Sequence, residues 1–107
     1  MKGVQSVICL GKYKEIYKDH SLPSVLDNIS EKEIPQKNVV LRYLKSHKPT
    51  AYSPQECFDV VSGEKINEPL SCMDDGVYYW RSDLIYYFEK YNLKLLDEFV
   101  DYVIAKT

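Results

Sequence analysis

Between residues 35 and 48 the apolar positions fall into a single stripe. Val39, Val40, Tyr43, Leu44 and His47 are spaced by one, three, one and three residues, the pattern of a helix with one inward side. Pro35 suits a first turn and Pro49 stops the run. Lys37, Arg42, Lys45 and Lys48 fall mostly off the stripe, so this helix is expected to carry a basic outer side. Upstream, Val4, Val7, Ile8, Tyr13, Ile16 and Tyr17 are partly helical in spacing and predict a helix over 4–18, interrupted by Gly11. His20-Ser21-Leu22-Pro23 breaks it. Ser21 is then expected to cap a short helical segment that runs to Ile29 and buries Leu22, Val25, Leu26 and Ile29.

From 50 to 80 the periodicity changes. Pro, Gly and Ser become frequent, and β-formers occur in short runs. Cys57-Phe58-Asp59-Val60-Val61 reads as a strand and Ser62-Gly63-Glu64-Lys65 as a turn. Leu70-Ser71-Cys72-Met73 and Val77-Tyr78-Tyr79-Trp80 are joined by Asp74-Asp75-Gly76, a strong hairpin signal because glycine accepts positive φ without penalty. Alternation along the second strand places Tyr78 and Trp80 on one face and Val77 and Tyr79 on the other.

A helix follows directly. Ser82 is a candidate N-cap, Asp83 favours the helix dipole, and Leu84, Tyr87, Phe88 and Tyr91 share one stripe. Asn92 suits a left-handed stop. A last helix is expected near 96–105, with Phe99, Val100, Val103 and Ile104 inward and Asp97, Glu98 and Asp101 outward. The elements together predict a single α+β domain over residues 1–107, with helices packed on a small antiparallel sheet built from residues 50–80.

Length changes this picture little. A chain of 107 residues buries roughly 65% of the surface its unfolded form exposes, enough for one core. No apolar run approaches the length of a membrane span, and the opening MKGVQSVICLGKYKE is too interrupted for a secretory signal. A cytoplasmic location is expected. Cys9, Cys57 and Cys72 are odd in number and widely spaced, which suits reduced thiols better than a disulfide framework.

Charge is more informative. The net charge is −2, yet residues 1–53 hold nine Lys/Arg against five Asp/Glu, a balance of +4, while residues 54–107 hold five against eleven, a balance of −6. An acidic half can steer a basic partner. The bland alternative is that the two signs offset each other across one small domain.

Candidate chemistry is sparse. A cysteine nucleophile with His20 or His47 has no local signature. Asp74 and Asp75 sit in a turn before they are an acid pair, and the alternating oxygen ligands of a calcium loop are missing. The glycines number four and do not cluster, so no phosphate loop is present. No catalytic residue, metal site or cofactor is therefore expected. The basic helix at 35–48 opens an alternative as a small regulatory or nucleic-acid-binding protein, but an acidic chain with two arginines fits that poorly. Ten tyrosines against three phenylalanines favour rings that live at an interface. Carboxylates interleaved with them suit a protein partner.

The segment DDGVYYWRSDLIYYFEKYNLKLLDEFVDYV carries a resemblance. Asp75, Gly76, Tyr78, Trp80, Asp83, Leu84, Tyr86, Tyr87, Tyr91, Asn92, Leu93, Leu95, Glu98 and Phe99 match a C-terminal pattern found in small bacterial proteins. The Val39–Leu44 helix and the Phe58-Asp59 strand look similar too. Such proteins resemble immunity proteins encoded beside polymorphic or contact-dependent growth-inhibition toxins. The group usually has proline where this chain has Leu96. The resemblance implies a cognate toxin domain as partner, basic and often a nuclease, with no direct contact to nucleic acid or membrane. The residues expected to meet that partner are Asp74, Asp75, Tyr79, Tyr86, Glu89, Asp97 and Asp101, with Trp80 structural.

Overall fold

The computed structural model describes residues 8–106. Strand β1 is Ile8–Cys9, helix α1 Lys14–Tyr17, and a 3-10 turn covers Val25–Asp27. Helix α2 (Lys37–Lys45) leads to β2 (Ala51–Ser53), β3 (Cys57–Phe58) and β4 (Lys65–Ile66). Strands β5 (Leu70–Asp74) and β6 (Tyr78–Arg81) precede helices α3 (Ser82–Tyr91) and α4 (Asp97–Lys106). The main sheet has the order β1-β6-β5-β2, and β3 and β4 form a separate hairpin. The α+β class expected from the sequence is the class observed.

The sheet is mixed rather than wholly antiparallel. β1 runs parallel to β6, with Ile8 opposite Tyr78 and Cys9 opposite Tyr79. The Ile8 and Leu10 N–H groups donate to the Val77 and Tyr79 carbonyls at 2.9 and 2.8 Å. The long N-terminal helix is thereby corrected, and its first residues, 4–7, lie outside the described residues. Gly11 adopts φ +73°, a left-handed conformation that ends the strand. Only one helical turn follows, closed by Lys18 at φ 55°.

The next segment also differs in detail. Ser24, not Ser21, caps the short turn: its hydroxyl accepts from the Leu26 N–H at 3.1 Å. Ser21 instead donates its hydroxyl to Asp19 at 2.7 Å. Glu15 accepts from the Ser24 hydroxyl and from the Val25 N–H, tying α1 to this turn. Val25 is buried as expected, but Leu26 is exposed.

The hairpin and the two last helices lie close to expectation. β5 pairs antiparallel with β6, Met73 facing Trp80, and Gly76 takes φ +92° in the connection. Ser82 is not the N-cap of α3; Arg81 holds that position in extended conformation. The Ser82 hydroxyl reaches back to β5, accepting from the Ser71 N–H at 3.0 Å. Asn92 closes α3 at φ 55°. Leu96 takes the place before α4, and its carbonyl accepts from the N–H groups of Phe99 and Val100. The helix thus starts without the proline.

One core fills the space between the sheet and the helices. Trp80, Phe88, Phe99, Leu44, Val40, Leu93 and Val103 are fully buried. Phe99 meets Tyr78 edge-on at 4.9 Å, and His47 meets Trp80 edge-on at 5.2 Å. Both Tyr78 and Trp80 face this core, while Tyr79 and Arg81 alternate to the opposite face of β6. Among the described residues no helix is long and apolar enough to cross a membrane.

Candidate functional site

The seven residues singled out from the sequence are spread over several separate neighbourhoods, and the fold makes different use of each. At the β5–β6 connection, Asp75 accepts from the N–H groups of Val77 and Tyr78 at 2.9 and 2.7 Å through one oxygen. Its other oxygen accepts from the hydroxyls of Tyr43 and Tyr102. One carboxylate therefore fixes the turn and ties it to α2 and α4. Burial acts to raise its pKa, but the hydrogen bonds from Tyr43, Tyr78, Val77 and Tyr102 outweigh burial and hold it below the usual range. Asp74 is half-buried and accepts from the Gly76 N–H at 3.1 Å.

A second carboxylate with the same design went unremarked in the sequence. Asp59 follows β3 and is 1% exposed. One oxygen accepts from the N–H groups of Val61 and Ser62 at 2.7 and 3.0 Å. The other accepts from the hydroxyls of Tyr86 and Tyr91, each at 2.6 Å. Burial opposes ionisation here as well, yet the Tyr86, Tyr91, Ser62 and Val61 donors hold the carboxyl down at about 2. Lys90 adds a cation 3.9 Å away. Burial, then Asp59, push the Tyr86 phenol up to about 12. Beside it the Tyr87 hydroxyl donates to the Phe58 carbonyl at 3.1 Å and accepts from the Val60 N–H at 3.0 Å. Three tyrosines of α3 thus dock the small β3–β4 hairpin. The available signal was an Asp placed two and three residues before N–H groups of a Ser-Gly turn.

Tyr79 lies on the face of the sheet away from the core. Its hydroxyl donates to the Cys72 thiol at 3.0 Å. Next to it in register, Cys9 meets the Tyr17 hydroxyl at 3.1 Å. Arg81 stacks over the Tyr17 ring at 5.4 Å and pairs with the buried Asp83 at 2.8 Å. All three cysteines are free thiols. Burial raises the Cys57 thiol. Neither histidine lies within hydrogen-bonding distance of a thiol, and no group of metal-ligating side chains is assembled among the described residues.

The remaining three positions point outward. Glu89 pairs with Lys45 at 3.0 Å, both about half exposed. Lys37 donates to the Glu89 carbonyl and to Asn92 at 2.9 and 2.6 Å. Two of the four cations of the basic helix are therefore held internally. Asp97 and Asp101 are exposed on α4, one turn apart, and neither has an ion-pair or hydrogen-bond partner among the described residues. Both border a groove of about 660 Å³ between α4 and the 27–36 segment.

No protein-family model, no curated protein and no solved structure matches this chain.

Proposed function

We propose that this chain is an immunity protein that binds a basic toxin domain, often a nuclease in such systems, and neutralises it by covering its active site or a partner surface. The reading joins the resemblance carried by residues 75–99 to one structural observation. Asp97 and Asp101 stand exposed and unpaired on the same side of α4. Carboxylates that take no part in holding a fold are available to steer a basic partner and to pair with it. Glu89 is already paired with Lys45 and Asp74 is bonded to the Gly76 N–H, so both are secondary to Asp97 and Asp101 in this reading. Asp75, Tyr79 and Tyr86 act mainly by fixing the elements that present it, because their polar atoms are already bonded inside the domain.

The direct test is co-expression with the toxic domain encoded by the neighbouring gene, followed by purification of a complex. Protection of the cell and a stoichiometric complex are the expected results. Absence of both, with a toxin that does kill, rejects the proposal.

A further inference from the structure

Helix α4 carries more apolar surface than the core uses. Phe99 and Val103 are fully buried. Val100 and Ile104 lie on an adjoining stripe and are only half-buried. They form one wall of the groove described above, and Ile29 and Ile34 form the facing wall. Leu95 and the buried Phe88 lie at its base. Asp97 and Asp101 interleave with Val100 at spacings of three and one, so the carboxylates and the apolar stripe share one side of the helix.

Charge around the groove is biased. Asp27, Glu33, Asp97 and Asp101 border it, against Lys32 and Lys94. None of these six enters an ion pair among the described residues. An apolar trough bordered by an excess of unpaired carboxylates is complementary to one kind of segment: an amphipathic helix with aliphatic anchors on one side and lysine or arginine flanking them.

We infer that this groove is the docking site for a basic amphipathic helix of the protein partner. The inference rests on the reading of the chain as a protein-binding domain. The aliphatic anchors enter between Val100 and Ile34, and the flanking cations pair with Asp97 and Asp101. Burial of the anchors supplies the affinity, while the carboxylates set orientation and the rate of encounter.

The test uses the full chain and a synthetic probe. The probe is a peptide of about 15 residues, long enough to become helical on binding, with leucines at helical i, i+3, i+4 and i+7 spacing and lysines elsewhere. Its control has glutamates in place of the lysines. Amide shifts on titration should concentrate in residues 27–36 and 95–104. The lysine peptide should bind and the glutamate peptide should not. Asp97→Lys combined with Asp101→Lys should weaken binding by about tenfold or more, against about twofold for Glu64→Lys with Glu68→Lys, which changes net charge equally at exposed positions remote in sequence. Asp101→Lys alone, beyond the first turn of α4, should weaken binding in the same direction. Shifts outside the groove, equal binding of both peptides, or equal losses from the two charge reversals would each overturn the inference. Co-expression separates it from the broader proposal. Protection that survives Asp97→Lys/Asp101→Lys removes the groove and leaves the immunity role, whereas a wild-type chain that fails to protect removes the role and leaves the peptide result standing.

Discussion

Replacing Asp59 should expose how much one buried carboxylate contributes to this domain. Its four donors divide by oxygen: two backbone N–H groups on one, two tyrosine hydroxyls on the other. Asp59→Asn keeps an acceptor for the turn and loses the charge that Tyr86 and Tyr91 address. A hydrogen bond to a charged group contributes about 1.5–3 kcal/mol, and a phenol freed at a half-buried position recovers part of that from water. The expected cost is about 2 kcal/mol. Asp59→Ala also strips the turn of its acceptor and should cost about 3–5 kcal/mol, a large fraction of the roughly 5–15 kcal/mol available to a domain. Urea unfolding followed by Trp80 fluorescence measures both, since Trp80 is fully buried in the fold. The pH dependence provides an independent check. The folded pKa of Asp59 is lowered to about 2 from 3.8. Its contribution is therefore complete above pH 3.8 and disappears as pH falls through 2. Between those limits the wild type should lose about 2 kcal/mol more than Asp59→Asn. The double variant Tyr86→Phe/Tyr91→Phe should flatten the same pH window. A cost below about 0.5 kcal/mol for Asp59→Asn, the scale of an exposed substitution, or an unchanged acid profile, would refute the assignment of Asp59 as the anchor of the β3–β4 hairpin.

Other substitutions probe the rest of the fold. Gly11→Ala should destabilise by about 1–3 kcal/mol in urea unfolding, because φ is +73° and the new Cβ would stand 2.7 Å from the Leu84 side chain. Phe99→Ala should cost about 3–5 kcal/mol by thermal or urea melts, since the ring is fully buried between Tyr78 and Trp80. Leu96→Pro should be neutral or stabilise by up to about 1 kcal/mol by loss of unfolded-chain freedom, because the Leu96 N–H donates no hydrogen bond and its side chain is exposed. A loss of stability there would show that the chain departs from the proline pattern for a conformational reason.

What was legible in the sequence was whatever is decided locally. The β5–β6 hairpin, the left-handed stop at Asn92 and the inward stripe of α3 follow from turn chemistry and a helical period, and they lie where that chemistry puts them. β1 was not legible. Ile8 and Cys9 become a strand because β6, some seventy residues later, offers a parallel edge, and no local pattern announces a partner so distant. The Ser82 cap was misread for a related reason. Its hydroxyl is drawn to the Ser71 N–H across the sheet, so a tertiary hydrogen bond displaced a local one. At the surface, composition pointed to acidity and an abundance of tyrosine but could not say which carboxylates the fold itself consumes.

That last distinction decides how the tyrosines are to be understood. Ten tyrosines suggested an interface, yet the hydroxyls of Tyr13, Tyr17, Tyr43, Tyr79, Tyr86, Tyr87, Tyr91 and Tyr102 all bond to partners within the domain. Asp59 and Asp75 each collect two of them. A phenylalanine at Tyr43, Tyr86, Tyr91 or Tyr102 would fill the same volume but strip one carboxylate oxygen of a donor, leaving the backbone N–H groups on the other oxygen. Four of the ten tyrosines thus satisfy two carboxylates that organise turns, and four more bond backbone carbonyls or thiols inside the domain. It follows that the acidic half of the chain contains two populations. One is buried or turn-bound and is spent on the fold, as at Asp59, Asp75 and Asp83. The other is exposed and enters no ion pair among the described residues, as at Glu64, Glu68, Asp97 and Asp101, and of these four only Asp97 and Asp101 border the apolar groove beside α4.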